Sequence, residues 1–233
     1  MKIRWLFFIF FVLFLSLEGL CQYLPNPSFE GTPQPEIPPP GWAICTPGNS
    51  TPDVQPGNFG VYLAASDGNT YLGMAARDDN TWEDVHTSLI TPFSIDSCYL
   101  VKIDLAYQPD VASFDMEPIT LKVYGSNSSC NMDNLLWQSP AVGNEDWLTY
   151  EFLVHPAMVN ITDLVLEAYY TTQIPYWGYI LMDNIRIETI PNFDLGNDTT
   201  LSICEGDSLI LDPGSGFVSY LWQDGSTEAT YTV

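Results

Sequence analysis

The sequence predicts an all-β protein: an antiparallel jelly-roll β-sandwich followed by an incomplete second β-sandwich. Three observations carry that prediction. Short strand-like runs recur along the chain between clusters of Gly, Asn, Asp, Ser and Pro. The longer runs alternate apolar and polar residues with period two, as half-buried antiparallel strands do. No stretch carries a convincing apolar period of 3.6 residues, so helices are not expected.

The elements follow in order. Lys2 and Arg4 precede the apolar run 5–15 (WLFFIFFVLFL), which is too short to span a bilayer and has the pattern of a secretory leader. Gly19 and Cys21 are small residues where a signal peptidase reads, which makes 1–21 a signal peptide cut before Gln22. Leu20 is bulky where lipoprotein leaders carry a small residue, which counts against a lipidated Cys21. No second long apolar run follows, so no membrane insertion is expected after cleavage and the chain is expected to be secreted or held at the cell surface.

The next segment carries prolines at 25, 27, 33, 35, 38, 39 and 40, which forbid a helix and predict an extended lead-in over the surface. Strand-like runs then occupy 60–65, 70–76, 85–90, 98–107, 119–125, 134–138, 147–154, 163–170 and 178–188. In 98–107, Tyr99, Val101, Ile103, Leu105 and Tyr107 share one face, while Lys102 and Asp104 share the other. In 147–154, Leu148, Tyr150, Phe152 and Val154 oppose Thr149 and Glu151. Each strand therefore has one wet face, and regularly spaced strands of this kind predict a two-sheet jelly roll over 22–190.

Composition changes at 190–198. Shorter runs follow at 200–204, 208–212, 218–223 and 229–233, too few to bury a core alone. The segment 191–233 is therefore expected to be the first part of a second sandwich, and the chain a fragment of a longer protein.

Charge narrows the partners. The chain has 29 acidic and 6 basic side chains; loss of Lys2, Arg4 and Glu18 with the leader leaves 29 − 1 = 28 acids against 6 − 2 = 4 bases, a net charge of −24. The four bases are Arg77, Lys102, Lys122 and Arg186. Such a surface repels phosphate backbones, so no nucleic-acid partner is expected. A hydrophobic fraction of 46% supplies enough apolar residues for a core and argues against disorder. Cys45, Cys98, Cys130 and Cys204 follow the leader in no zinc-binding spacing, which points to disulfide chemistry in an oxidising compartment.

Two family resemblances rest on particular strings. LPNPSFE, a Pro-rich stretch into GW, CTPGNSTPDVQPG, SDGNTYLGM, TWEDVHTSLITPF and WGYILMDNIRI together resemble jelly-roll modules of secreted proteins of gliding bacteria, similar in plan to carbohydrate-binding modules. From 194 onward, LGNDTTLSICEGDSLILDPGSGFVSYLWQDGST resembles the opening of the Ig-like or PKD-like repeats in gliding-motility-associated surface proteins. The second resemblance makes 191–233 a truncated Ig-like repeat and implies export by type IX secretion. In such repeats a later strand carries the partner of the cysteine at Cys204.

The first resemblance implies one structural Ca²⁺ where the first strand meets the last. The matching positions are Glu30 and Asp183, with backbone carbonyls near Ser28 and Asn69. The other reading of these acids is that they are exposed or turn-capping residues. Exposed aromatics are the candidate ligand platform, since sugar faces stack on Trp and Tyr while carboxylates hold hydroxyls. Arg77, Trp82 and Glu83 in RDDNTWED, and Tyr176 and Trp177 in IPYWGY, are the candidates. Each aromatic could equally be a packed side chain, and Arg77 could be an ion-pair partner of Asp78, Asp79 or Glu83.

Two disulfide pairings are open, Cys98–Cys130 across paired strands and Cys45–Cys130 between loops; the expectation leans to Cys45–Cys130, because CTPG and SNSSC both read as loops. No catalytic motif is present, and His86 and His155 read as structural, so no enzyme activity is expected. These residues support a secreted, non-catalytic binding protein whose partner is a polysaccharide or cell-surface glycan. The competing readings are a protein–protein adhesion module without a sugar site and the accessory domain of a surface hydrolase.

Overall fold

The structure, a computed structural model, describes residues 22–48, 50–157, 159–190, 208–212 and 219–232. The expected leader over 1–21 lies outside the described residues, as do 191–207 with Cys204. The chain divides into two compact units, Met1–Pro191 and Asn192–Val233.

In the first unit the strands are β1 (Asp53–Gln55), β2 (Tyr71–Ala76), β3 (Asp84–Phe93), β4 (Cys98–Tyr107), β5 (Asp110–Val111), β6 (Phe114–Asp115), β7 (Thr120–Ser126), β8 (Leu135–Gln138), β9 (Leu148–Val154), β10 (Ile161–Tyr169) and β11 (Gly178–Ile190). One sheet runs β1-β2-β11-β4-β9 and the other β3-β10-β7-β8, while β5 and β6 form a small hairpin. Every pairing is antiparallel. The main strands pair as β2 with β11, β3 with β10, β4 with β9 and β7 with β8. That is the pairing of one long hairpin wrapped so that its successive rungs alternate between two sheets, which is a jelly roll.

The side-chain alternation explains the wrap. Tyr99, Val101, Ile103 and Leu105 of β4 all face inward and meet Ile180 and Met182 of β11 and Leu121 and Val123 of β7 in one core. Lys102 faces outward and reaches Glu151 and Glu188 on the strands to either side. β9 is an edge strand whose Leu148 and Leu153 are exposed, while Phe152 and Val154 close the core.

Three features depart from the sequence expectation. The run 60–65 is no strand: it crosses the outer face of β2 as irregular chain, with Val61 buried beside Tyr71, Ala75, Tyr179 and Leu181 in a second apolar cluster. The sheet face beneath it is therefore dry, and Asp104, predicted on the wet face with Lys102, is buried. Gly73 makes room for this layer, since a Cβ there would meet the Tyr179 hydroxyl at 2.2 Å.

The proline-rich lead-in is also not a surface strap. It is irregular, as the prolines require, but Tyr23, Leu24, Phe29 and Trp42 are buried in the main core. Phe29 is fully enclosed against Trp42, ring centroids 4.8 Å apart, and a side chain of that size contributes about 1.5–3 kcal/mol when buried. The backbone ties the segment to both sheets: Ile90 N donates to Tyr23 O at 2.8 Å, and Ile185 N to Pro27 O at 2.9 Å.

In the second unit β12 (Ile210–Leu211) pairs antiparallel with β13 (Tyr231–Thr232), and Trp222 stacks on Tyr231 with centroids 5.2 Å apart. Its strands fall inside the expected runs 208–212 and 229–233.

Candidate functional site

The expected calcium positions meet at one loop. The 66–70 segment (SDGNT) is gripped by two carboxylates, one from the lead-in and one from β11. Glu30 Oε1 accepts hydrogen bonds from Asn69 N at 2.7 Å and Thr70 N at 3.0 Å. Asp183 Oδ2 accepts from Ser66 N at 2.8 Å and Asp67 N at 2.9 Å, and its Oδ1 from Asn184 N at 2.7 Å. Ser28 Oγ donates to Asp67 Oδ2 at 2.5 Å, which adds a third carboxylate that sequence reasoning missed. Asp183 sits where β11 bulges between Asp183 and Arg186, with Asn184 in the left-handed region at φ 53°. Gly68 is also left-handed, and a Cβ there would strike Glu30 at 2.2 Å.

The donor chemistry of this cluster suits a hard cation, because every donor is oxygen. Burial pushes the Asp183 carboxyl up to about 7, against the opposing pull of the three backbone N–H groups, so a cation here would favour its ionised form. The described residues do not gather three carboxylates tightly: the one group of three His, Cys, Asp or Glu donors within 4.8 Å is Cys45, His86 and Cys130. A calcium ion would therefore depend on Glu30, Asp183 and loop carbonyls together.

The first candidate platform is committed inward. Glu83 is buried, with Oε2 accepting from Ala75 N at 2.9 Å and Oε1 from Thr51 Oγ1 at 2.7 Å. Arg77 pairs with Glu83 Oε1 and donates to Thr51 Oγ1 at 2.8 Å. Trp82 is half-buried: its indole N–H donates to Glu167 Oε1 at 2.8 Å, and its ring packs edge-on against Tyr169 and Tyr170. Arg77 and Glu83 thus form an ion pair that anchors the RDDNTWED turn to β2, and Trp82 ties that turn to β10. Desolvation raises the Glu83 carboxyl to about 7, with Arg77 pulling it back.

The second candidate lies beside an opening. A cleft of about 480 Å³ is lined by Glu117, Pro118, Ala141, Thr171, Thr172, Ile174, Pro175 and Tyr176. The Tyr176 hydroxyl is fixed by Thr171 N at 2.8 Å and donates to Pro118 O at 2.9 Å, which sets the ring between the 171–176 loop and the strand start at β7. Ile174 is 77% exposed. Trp177, next along the chain, stacks on the exposed Phe114 with centroids 5.3 Å apart and planes 19° apart. Apolar ring and proline faces beside threonine hydroxyls and one carboxylate make an amphipathic cleft. Apart from Tyr176, the sequence carried no signal for these wall residues, because they converge from separate turns.

Cys45 and Cys130 form a disulfide, Cα atoms 5.3 Å apart, and Cys98 is free. Cys98 pairs across β4 with Ile190 of β11, in the other sheet from the strand that leads to Cys130.

No protein family and no curated protein matches the chain. Among solved structures, a cyclase from Fischerella sp. TAU in complex with 4-(1H-Indol-3-yl)butan-2-one superposes with a TM-score of 0.51 at 14% identity, over 73% of this chain and 97% of that one. At that identity the likeness is one of fold. A carbohydrate-binding module in complex with β-1,4-galactotriose aligns at TM-score 0.45 and 12% identity, over 72% of this chain and 97% of that one. The K3 adhesin domain of Lys-gingipain from Porphyromonas gingivalis aligns at 0.43 and 16%, over 71% of this chain and 98% of that one. Superpositions this loose carry no functional argument.

The Arg77–Glu83 pair yields a pH prediction. Arg77→Met strands a buried carboxylate, which costs about 3–5 kcal/mol where the group is ionised. Because the Glu83 carboxyl lies raised at about 7, the folded chain binds its proton more tightly than the unfolded one. Its contribution is then full at low pH and declines as pH rises from the ordinary carboxylate range towards neutrality. Urea unfolding should therefore show a larger loss for Arg77→Met at pH 8 than at pH 5, and an equal loss at both would contradict the assignment.

Proposed function

We propose that this chain is an exported, non-catalytic binding protein whose jelly-roll unit holds a neutral, hydroxyl-rich polysaccharide in the cleft beside Tyr176. The observation that carries the reading is the cleft itself, with a fixed aromatic ring, two proline faces, and the Thr171, Thr172 and Glu117 side chains along one opening. Sugar rings offer apolar faces to such a ring and hydroxyls to such polar groups. The neighbouring Trp177–Phe114 stack extends the apolar surface. The RDDNTWED turn is not part of the platform in this reading, since Trp82, Glu83 and Arg77 serve the fold.

Charge selects the class of polymer. With the leader removed, 28 acids face 4 bases, so sulfated or uronic-acid chains are repelled unless a cation bridges them. Neutral chains meet no such barrier. Stacking on one aromatic adds about 0.5–1.5 kcal/mol beyond area burial, so single-site binding is weak and gains from repeated display. The resemblance to surface proteins of gliding bacteria supports such a setting, with 191–233 as the start of an Ig-like spacer and type IX secretion as the route.

Calcium belongs to the same proposal as a structural ion. Glu30, Asp183 and carbonyls of the 28–30 and 66–70 segments would hold it, and the ion would fix the lead-in to the last strand without touching the ligand. Ca²⁺ then raises the melting temperature, EDTA lowers it, and Glu30→Ala removes most of the difference, since a ligand of the native state stabilises by mass action. Melting curves that coincide with and without EDTA contradict the ion.

Binding is tested on insoluble polysaccharides with the full chain. Retention on at least one neutral polymer is expected, with Tyr176→Ala and Trp177→Ala each weakening it, while Trp82→Ala acts only through stability. Retention on none, or on protein-coated surfaces alone, favours the protein–protein adhesion reading.

A further inference from the structure

Cys45, His86 and Cys130 converge from three separate parts of the chain. Their two sulfurs and an imidazole nitrogen lie within 4.8 Å of one another. His86 Nδ1 is enclosed and has no hydrogen-bond partner. A buried nitrogen left unpaired is costly, and a partner that the disulfide state does not supply would relieve that cost.

Noncovalent contacts independent of the S–S bond hold His86, Cys45 and Ser129, the residue before Cys130. His86 lies on β3 and exchanges two backbone hydrogen bonds with Ala43, Ala43 N to His86 O at 3.0 Å and His86 N to Ala43 O at 2.7 Å. Asp84, two residues before His86, is buried and accepts from Cys45 N at 3.0 Å and Thr46 N at 3.1 Å. On the other side Ser129 Oγ, next to Cys130, donates to Asp163 Oδ1 at 3.3 Å, and Asp163 pairs with Ser88 of β3. Cleaving the disulfide therefore leaves both cysteine loops tethered beside the imidazole.

We propose that reduction of the Cys45–Cys130 disulfide converts this point into a Cys₂His site for Zn²⁺, so that Zn²⁺ binding at this point is conditional on its redox state. Two thiolates and one imidazole are a donor set that Zn²⁺ takes in tetrahedral geometry, with water in the fourth position. With a phosphine as reductant the balance is closed. The phosphorus lone pair attacks one sulfur, the S–S bond breaks, and the other sulfur leaves as thiolate. Water then takes phosphorus to the phosphine oxide and the two sulfurs become thiols, so two electrons pass from phosphorus to sulfur. Zn²⁺ binding releases the two thiol protons and leaves His86 neutral. In the disulfide neither sulfur is a thiolate, so the oxidised chain lacks the site.

The test uses the full chain with Cys21→Ser, Cys98→Ser and Cys204→Ser, which removes the other thiols. Co²⁺ serves as the spectroscopic stand-in for Zn²⁺. After phosphine reduction, one equivalent of Co²⁺ should give thiolate-to-metal charge-transfer absorption and tetrahedral d–d bands, and Zn²⁺ should displace it. The oxidised chain should give neither. His86→Gln should weaken Zn²⁺ binding by more than about tenfold, the low end of what even outer partners of metal ligands are worth, and Cys130→Ser should abolish the charge-transfer band. Near-ultraviolet circular dichroism should keep its folded signal after reduction. Equal Co²⁺ signals in both redox states, unchanged affinity in His86→Gln, or loss of the folded signal on reduction would each overturn the proposal.

Discussion

The loop 66–70 is the point on which the first unit depends, because two carboxylates from opposite ends of the unit's sequence hold it. Glu30 takes the amides of Asn69 and Thr70, and Asp183 takes those of Ser66 and Asp67. The jelly-roll topology puts β11, the last strand of this unit, between β2 and β4. The same loop carries Ser66 over Asp104, whose Oδ2 accepts from Ser66 Oγ at 2.6 Å and from Asn184 Nδ2 at 2.9 Å. Asp104 Oδ1 in turn takes Thr149 Oγ1 at 2.6 Å and pairs with Arg186 at 3.0 Å. One short turn thus joins the lead-in, β4, β9 and β11. It also anchors the end of the irregular 59–65 segment that keeps the outer face of β2 dry.

All four bases that follow the expected leader serve the fold. Arg77 holds Glu83, Arg186 holds Asp104, Lys122 lies 3.3 Å from Glu167 and over the Tyr169 ring, and Lys102 bridges Glu151 and Glu188. The pairs with a buried acid, those of Arg77, Lys122 and Arg186, offset desolvation that would otherwise be uncompensated. The exposed reach of Lys102 contributes less, about 0–1 kcal/mol for pairs of that kind. With 28 acids against 4 bases after the expected leader, the chain is strongly acidic, and that imbalance motivates both the ion proposed at Glu30 and Asp183 and the proposal of an uncharged polymer as ligand.

Much of the sandwich was legible because period-two alternation reports burial directly. The runs 98–107 and 178–188 match β4 (Cys98–Tyr107) and the body of β11 (Gly178–Ile190) closely. Alternation says nothing about what covers the far face of a sheet. That is why Asp104 read as wet, and why 60–65 read as a strand when it is the cover. Proline content correctly forbade a helix in the lead-in but could not reveal that Phe29 plugs the core beside Trp42, since burial there depends on a tertiary slot. The pairing of Cys45 with Cys130 follows from Asp84 and Asp163 presenting the two loops, contacts no spacing rule encodes. At the cleft, Tyr176 stood out as an aromatic outside the alternation. Glu117, Thr171 and Thr172 did not, because their proximity is made by the wrap.

A residue-resolved measurement locates the ligand on the jelly-roll unit. Amide NMR spectra of the ¹⁵N-labelled chain, recorded while a soluble oligosaccharide of the retained neutral polymer is added, report where the ligand sits. A ligand in the cleft beside Tyr176 should shift Glu117, Ala141, Thr171, Thr172, Ile174, Tyr176 and Trp177 and leave Thr81 to Asp84 unmoved. Shifts centred on the Arg77 to Glu83 turn, or no shifts at oligosaccharide concentrations that compete the chain off the polymer, would contradict that placement.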